Sequence, residues 1–208
     1  MSAAANWDPA RRERAKALLG AYPDPRSAIM PLLYLASLEY GHVTDQAMRD
    51  VAELVGVTPA QIQSVASFYT MFKRDEVGRY LISVCTSISC HLLGGDAILG
   101  AVEAASGVER GGTGEDGTFS VERAECIGAC GGAPAVQVNY ETVEGLTPDK
   151  AEALVQWLAD TSPDVVLADE MQQLFGGRRS FDWGPLETEG PVAAVPAFGP
   201  LGSAKEGR

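Results

Sequence analysis

Apolar positions along the chain change their spacing near residue 79. Over residues 8–74 they recur every three or four positions, the mark of helices buried on one side. Asp8-Pro9 is a cap followed by a first-turn proline and opens a helix from Ala10 to Leu19. Ser27 can start a second, carrying Ile29, Leu32, Leu33, Leu35, Ala36 and Leu38, with Pro31 near its start and Gly41 as its stop. Thr44 opens a third, with Met48, Val51, Ala52 and Val55 at helical spacing and Gly56 ending it. Thr58-Pro59-Ala60-Gln61 has the form of a capping box and predicts a fourth helix to about Phe68.

From Arg79 the pattern is that of short strands with helices between them. Residues 80–84 are β-rich, and a helix is predicted from about His91 to Ala105, ended by Gly107. Residues 111–117 read as a turn or flexible loop. Phe119 to Glu122 predicts a second strand, and Ala135 to Tyr140 a third. Thr147-Pro148 caps a last helix, to about Leu158. The order β-α-β-β-α suits one sheet with helices packed on it. The fold class expected is therefore α+β, in three parts: a small helical bundle over 1–78, an α/β sheet domain over 79–160, and a tail over 161–208. The tail holds five of the twelve prolines and has no sustained period, so it is expected to be extended or partly disordered. Its aromatic residues Phe175, Phe181 and Trp183, around Arg178-Arg179, are where docking is expected. The run Phe68 to Phe72 reads as an apolar seam between bundle and sheet domain.

Composition narrows the function. Apolar residues make up 46%, a globular value, and 28 acidic residues against 16 basic ones give a net charge of −12. Such a surface repels phosphate backbones, which disfavours a nucleic-acid partner. No segment approaches the roughly 20 apolar residues of a membrane span, so direct insertion into a membrane is not expected. The N-terminal residues carry no basic stretch leading into an apolar one, and a cytoplasmic location is expected. In that reducing compartment, paired cysteines are more often metal or redox sites than disulfides.

All four cysteines fall between Cys85 and Cys130, as Cys85-x4-Cys90 and Cys126-x3-Cys130. Two strand-end loops with two thiolates each match the needs of a two-iron, two-sulfide cluster. Cys90 is expected just before a helix, whose N-terminus would favour its thiolate. Structural zinc, two disulfides or free thiols are the competing readings; zinc usually takes tighter C-x2-C knuckles, and the C-x-x-C of a thioredoxin dithiol is absent. His91, beside Cys90, has no need to act as a ligand when four cysteines suffice. Gly94-Gly95-Asp96 lacks the spacing of a phosphate loop, so close helix packing is the expected reason for these glycines. No grouping has catalytic spacing, and no catalytic residue is assigned.

The residues Val84-Cys85-Thr86-Ser87-Ile88-Ser89-Cys90, Gly94-Gly95-Asp96-Ala97-Ile98-Leu99 and Glu125-Cys126-Ile127-Gly128-Ala129-Cys130 with Ala133-Pro134 resemble the thioredoxin-like [2Fe-2S] ferredoxin family. The 24-kDa subunits of respiratory NADH:quinone oxidoreductase (complex I) are members of it. Ser27 to Leu35 and Val65 to Phe72 are similar to the helical N-terminal part of such subunits, and the resemblance spans about residues 20–160. It implies a thioredoxin-like sheet domain and a [2Fe-2S] cluster on Cys85, Cys90, Cys126 and Cys130. It implies an electron-transfer subunit of an NADH dehydrogenase, without a complete active site of its own. FMN and NADH are then expected only on a partner flavoprotein subunit, since no Rossmann fingerprint is present here. Further iron–sulfur subunits of a peripheral arm, on the cytoplasmic face of the inner (plasma) membrane, are the other partners implied. The same module serves NAD-dependent hydrogenases and formate dehydrogenases, and a zinc-stabilised assembly module is the remaining alternative.

Overall fold

A computed structural model describes residues 7–180 of the chain. The described residues fall into two compact units, divided between Glu76 and Val77.

The first unit is helical. It comprises α1 (Pro9–Gly20), a 3-10 turn (Pro25–Ala28), α2 (Ile29–Tyr40), α3 (Asp45–Val55) and α4 (Pro59–Phe68). The caps follow from the sequence. The Asp8 carboxylate accepts from Ala10 N–H at 2.9 Å, Thr44 Oγ1 from Ala47 N–H at 3.0 Å, and Thr58 and Gln61 close a reciprocal box. Ser27 is not a cap: Asp24 starts the 3-10 turn, by accepting from Arg26 N–H at 2.9 Å, and α2 continues from it. Leu32, Leu33, Val51 and Ile62 are wholly buried in one core with Trp7. Each such aliphatic chain contributes about 1.5–3 kcal/mol by leaving water. Of the aromatic run read as a seam, Phe72 is buried in this core, whereas Phe68, Tyr69 and Met71 are exposed.

The second unit is a five-stranded mixed sheet with helices, a thioredoxin-like arrangement. Its elements are β1 (Tyr80–Cys85), α5 (Ile88–Leu92), α6 (Gly95–Ser106), β2 (Gly112–Thr113), β3 (Phe119–Ala124), a 3-10 turn (Cys130–Gly132), β4 (Ala135–Val138), β5 (Glu141–Glu144), α7 (Pro148–Thr161) and α8 (Ala168–Phe175). Strand order is β2-β3-β1-β4-β5, with only β1 and β3 parallel. The central β1 is buried along its whole length. Its alternation puts Tyr80, Ile82 and Val84 into the main core, where α6 and α7 pack, and Cys85 on the other face.

Five elements depart from the sequence expectation. The helix drawn from His91 to Ala105 is two helices, α5 and α6, broken where Gly94 takes φ +98°. Residues 112–113 pair with β3 instead of remaining a loop. The third strand stops at Val138, because Asn139 and Tyr140 both take positive φ and turn the chain into β5. That is the backbone of a two-residue hairpin, without the glycine that usually signals it. Asn139 is tied back to β1: Leu81 N–H donates to its Oδ1 at 2.8 Å, and its Nδ2 donates to Arg79 O at 3.0 Å. Thr147 precedes α7 but makes no side-chain capping bond. Finally, part of the expected extended tail is the helix α8, held by Met171 and Phe175 buried in the sheet unit's core. Phe175 is thus not free for docking, and Phe181 and Trp183 lie outside the described residues.

Candidate metal centre

Strand order brings the two cysteine loops together. Parallel pairing sets Cys85 beside Ala124, so β1 and β3 run out at the same end of the sheet. Antiparallel pairing of Val84 with Val136, continued one step, sets Ala135 on the other side of Cys85. The segment 125–134 therefore leaves β3 on one flank of β1 and enters β4 on the other. It crosses the end of β1 where Cys85 sits, and Cys126 and Cys130 travel with it.

The four sulfurs fall into two pairs. Cys85 and Cys90 are buried, in a small apolar cluster with Ala129 and Ala135, while Cys126 and Cys130 are exposed. Cys126 Sγ and Cys130 Sγ are 3.9 Å apart, far beyond the roughly 2.05 Å of a disulfide. All four thiols are free. Cys90 lies within α5 and not ahead of a helix as expected. Burial, and then the adjoining Cys85 thiol, push the Cys90 thiol up to about 11, while the Ala135 N–H that donates to its sulfur pulls the other way. Cys130 is close enough to add to the upward push. Desolvation in an apolar pocket, the largest cause, sets the direction for this thiol in the free chain.

The glycines expected to serve helix packing have a sharper role at Gly95. A Cβ there would stand 2.7 Å from Cys85 O and 2.9 Å from Cys90 O. The start of α6 is thereby pressed against the backbone of both buried cysteines. His91 is exposed and takes no place among the sulfurs; its Nδ1 meets Asp96 Oδ2 at 2.7 Å, and Arg123 donates to Asp96 Oδ1 at 2.5 Å. Asp96 thus links α5, which carries Cys90, to the end of β3, three residues before Cys126. Sequence spacing gave no sign of this bridge.

Among the described residues, no three His, Cys, Asp or Glu side chains converge as a single metal ion requires. A two-iron unit makes a different demand, two sulfurs per iron. Two thiol pairs at one end of a sheet, soft donors with a backbone N–H already aimed at one sulfur, fit that demand in number, kind and grouping.

Residues 15–159 match the thioredoxin-like [2Fe-2S] ferredoxin family. The chain belongs to this family, and its cofactor is a [2Fe-2S] cluster. It is 42% identical over 149 residues to an NADH-quinone oxidoreductase subunit of Mycobacterium tuberculosis (strain ATCC 25618 / H37Rv), covering 72% of this chain and 59% of the relative. It is 37% identical over 145 residues to an NADH-quinone oxidoreductase subunit of Rhizobium meliloti (strain 1021), covering 70% of this chain and 86% of the relative. The chain thus spans less than two thirds of the mycobacterial relative. The crystal structure of an NAD+-reducing [NiFe]-hydrogenase in its H2-reduced state is similar to it with a TM-score of 0.55 and 25% identity, over 64% of this chain and 23% of that one. Among the described residues no helix is long and apolar enough to cross a membrane.

Proposed function

We propose that this chain is the electron-transfer subunit of an NADH-oxidising assembly, holding its [2Fe-2S] cluster on Cys85, Cys90, Cys126 and Cys130. The observation that carries the reading is the grouping of the only four cysteines into two free pairs at one end of the sheet. When bound, such a cluster takes up and gives back one electron at a time. The protein's part is to hold and screen it. Cys85 and Cys90 supply the buried side, where the apolar contacts of Ala129 and Ala135 exclude water. The Ala135 N–H offers a hydrogen bond to sulfur, a contact that tunes reduction potential. Cys126 and Cys130 supply the exposed side, which leaves a short path to a redox partner at the surface.

That partner is a separate subunit carrying FMN and the NADH site, beside further iron–sulfur subunits in a peripheral arm on the cytoplasmic face of the membrane. The names of the mycobacterial and rhizobial relatives support a place in an NADH-quinone oxidoreductase assembly, and the flavin-bearing partner and the membrane face are part of the proposal. A second reading, the same module in an NAD-reducing hydrogenase, is favoured by the likeness to the hydrogenase structure. Affinity isolation of the tagged full chain from its own host separates the two. Co-isolation of a flavin-bearing, NADH-oxidising subunit with membrane subunits is the expected result; a nickel-bearing subunit in their place selects the hydrogenase, and isolation with no flavoprotein contradicts both.

A further inference from the structure

The turn that carries Cys130 is gripped by a segment lying beyond the residues matched to the family. After α8 the chain passes the end of β5, where Gly177 and Arg178 lie against Gly145, and reaches the turn Cys130–Gly132, where Arg178 and Ser180 lie against Gly132 and Gly131. Gly132 N–H donates to Ser180 Oγ at 3.0 Å, and Ser180 N–H donates in turn to Glu144 Oε2. Gly177 N–H donates to the Glu144 carbonyl at 2.8 Å. The Gln172 side chain brackets the same residue, accepting from Glu144 N–H at 2.8 Å and donating to Glu144 O at 3.1 Å. From the other side, Gly145 N–H donates to Gly132 O at 2.6 Å and to Pro134 O at 2.8 Å.

The fit leaves little room for a side chain at Gly131 and none at Gly132. A Cβ on Gly131 would lie 3.1 Å from Ser180 Cα, and one on Gly132 would lie 2.7 Å from Arg178 O and run into the Glu144 carboxylate. The peptides that follow Cys130 are therefore held between the end of β5 and the returning segment, with their tilt fixed from outside the cysteine loop.

We propose that residues 176–180 are a strap that sets the orientation of the Cys130 turn, with Ser180 and Glu144 as positioning residues for the cluster. The strap acts on reduction potential because that potential depends on how sulfur and its neighbouring N–H dipoles are arranged. The inference rests on the assignment of Cys130 as a ligand.

Two readouts on the full chain test it, with Ser180→Ala, Glu144→Ala and the conservative Glu144→Gln, which keeps an acceptor for Ser180 N–H. In the cluster-free chain, hydrogen exchange of the amides over 130–133 is expected to speed up roughly five-fold in Ser180→Ala, the weight of one ordinary hydrogen bond. In the chain reconstituted anaerobically with ferrous iron and sulfide, Ser180→Ala and Glu144→Ala are expected to keep full iron content while their reduced-state EPR g values and reduction potential move. Glu144→Gln stays near the wild type in both readouts. Unchanged exchange in Ser180→Ala, or unchanged spectra and potential in both alanine variants at full iron content, overturns the strap. A wild-type chain that takes up no iron overturns the ligand assignment instead, and the exchange experiment still decides whether the strap holds the turn.

Discussion

Cys126 and Cys130 hold their sulfurs 3.9 Å apart at the surface, while Cys85 and Cys90 meet in a buried apolar pocket. The two pairs are unequal, and serine substitution separates them. In the cluster-free chain, Cys85→Ser or Cys90→Ser places a hydroxyl among apolar groups. Each is expected to lower stability by about 1–3 kcal/mol. Cys126→Ser and Cys130→Ser are expected to leave it within about 0.5 kcal/mol. All four are expected to lose the cluster or strongly alter its visible spectrum. Urea melts of the cluster-free variants, set beside iron counts and spectra of the reconstituted ones, check both halves. A normal spectrum from Cys130→Ser would refute its place as a ligand.

Gly95→Ala pushes a methyl group into the carbonyls of Cys85 and Cys90. Backbone cannot swing aside as a side chain can, so the expected cost is about 1–3 kcal/mol. Because the displaced atoms belong to the buried cysteines, iron uptake is expected to fall as well. Gly100→Ala is the control: it lies in the same helix with nothing within 4 Å of the added carbon. Thermal melts and iron counts of the two variants should diverge.

In the helical unit, Asp50 accepts from Trp7 Nε1 at 2.8 Å, Tyr40 OH at 2.7 Å and Gln46 Nε2 at 2.7 Å. Asp50→Ala leaves the buried indole N–H without its partner and is expected to cost about 2–3 kcal/mol. None of these contacts, nor the core around Leu32 and Ile62, involves a cysteine. The helical circular dichroism of the full chain is therefore expected to survive removal of the cluster.

Tyr40 gives that network a pH dependence. Burial first, and then the bond to Asp50 and its charge, raise the Tyr40 phenol to about 12 from its ordinary 10. The folded state favours the neutral phenol, so this contribution is whole below about pH 10 and is lost as the pH climbs to about 12. The stability gap between the wild type and Tyr40→Phe is expected to be greatest at neutral pH and to narrow across that interval. Denaturant melts at a series of pH values check it, and a gap that widens instead would contradict the assignment.

What the sequence made legible was whatever local chemistry marks. The caps Asp8, Thr44 and Thr58 announce three of the four helices of the first unit, and the x4 and x3 spacings mark out the two cysteine pairs. The β4–β5 hairpin stayed hidden because Asn139-Tyr140 turns at positive φ without glycine, held by side-chain bonds to β1. Helix α8 stayed hidden because eight residues are too few to show a period, and it is secured by Met171 and Phe175 reaching a distant core. The position of Cys90 inside α5 depends on the αL turn at Gly94 and the close approach at Gly95. The close approach at Gly95 is a tertiary fact. The links from Asp96 to Arg123 and from Ser180 to Gly132 join residues 27 and 48 apart, and no spacing rule reaches them.

The most direct measurement is electron paramagnetic resonance of the full chain, purified anaerobically and reduced with dithionite, with iron, sulfide and zinc counted on the same sample. A cluster on the two thiol pairs gives a coloured protein with equal iron and sulfide and a paramagnetic signal on reduction, abolished or altered in each cysteine variant. A colourless protein, silent on reduction and holding one zinc per chain, would contradict it.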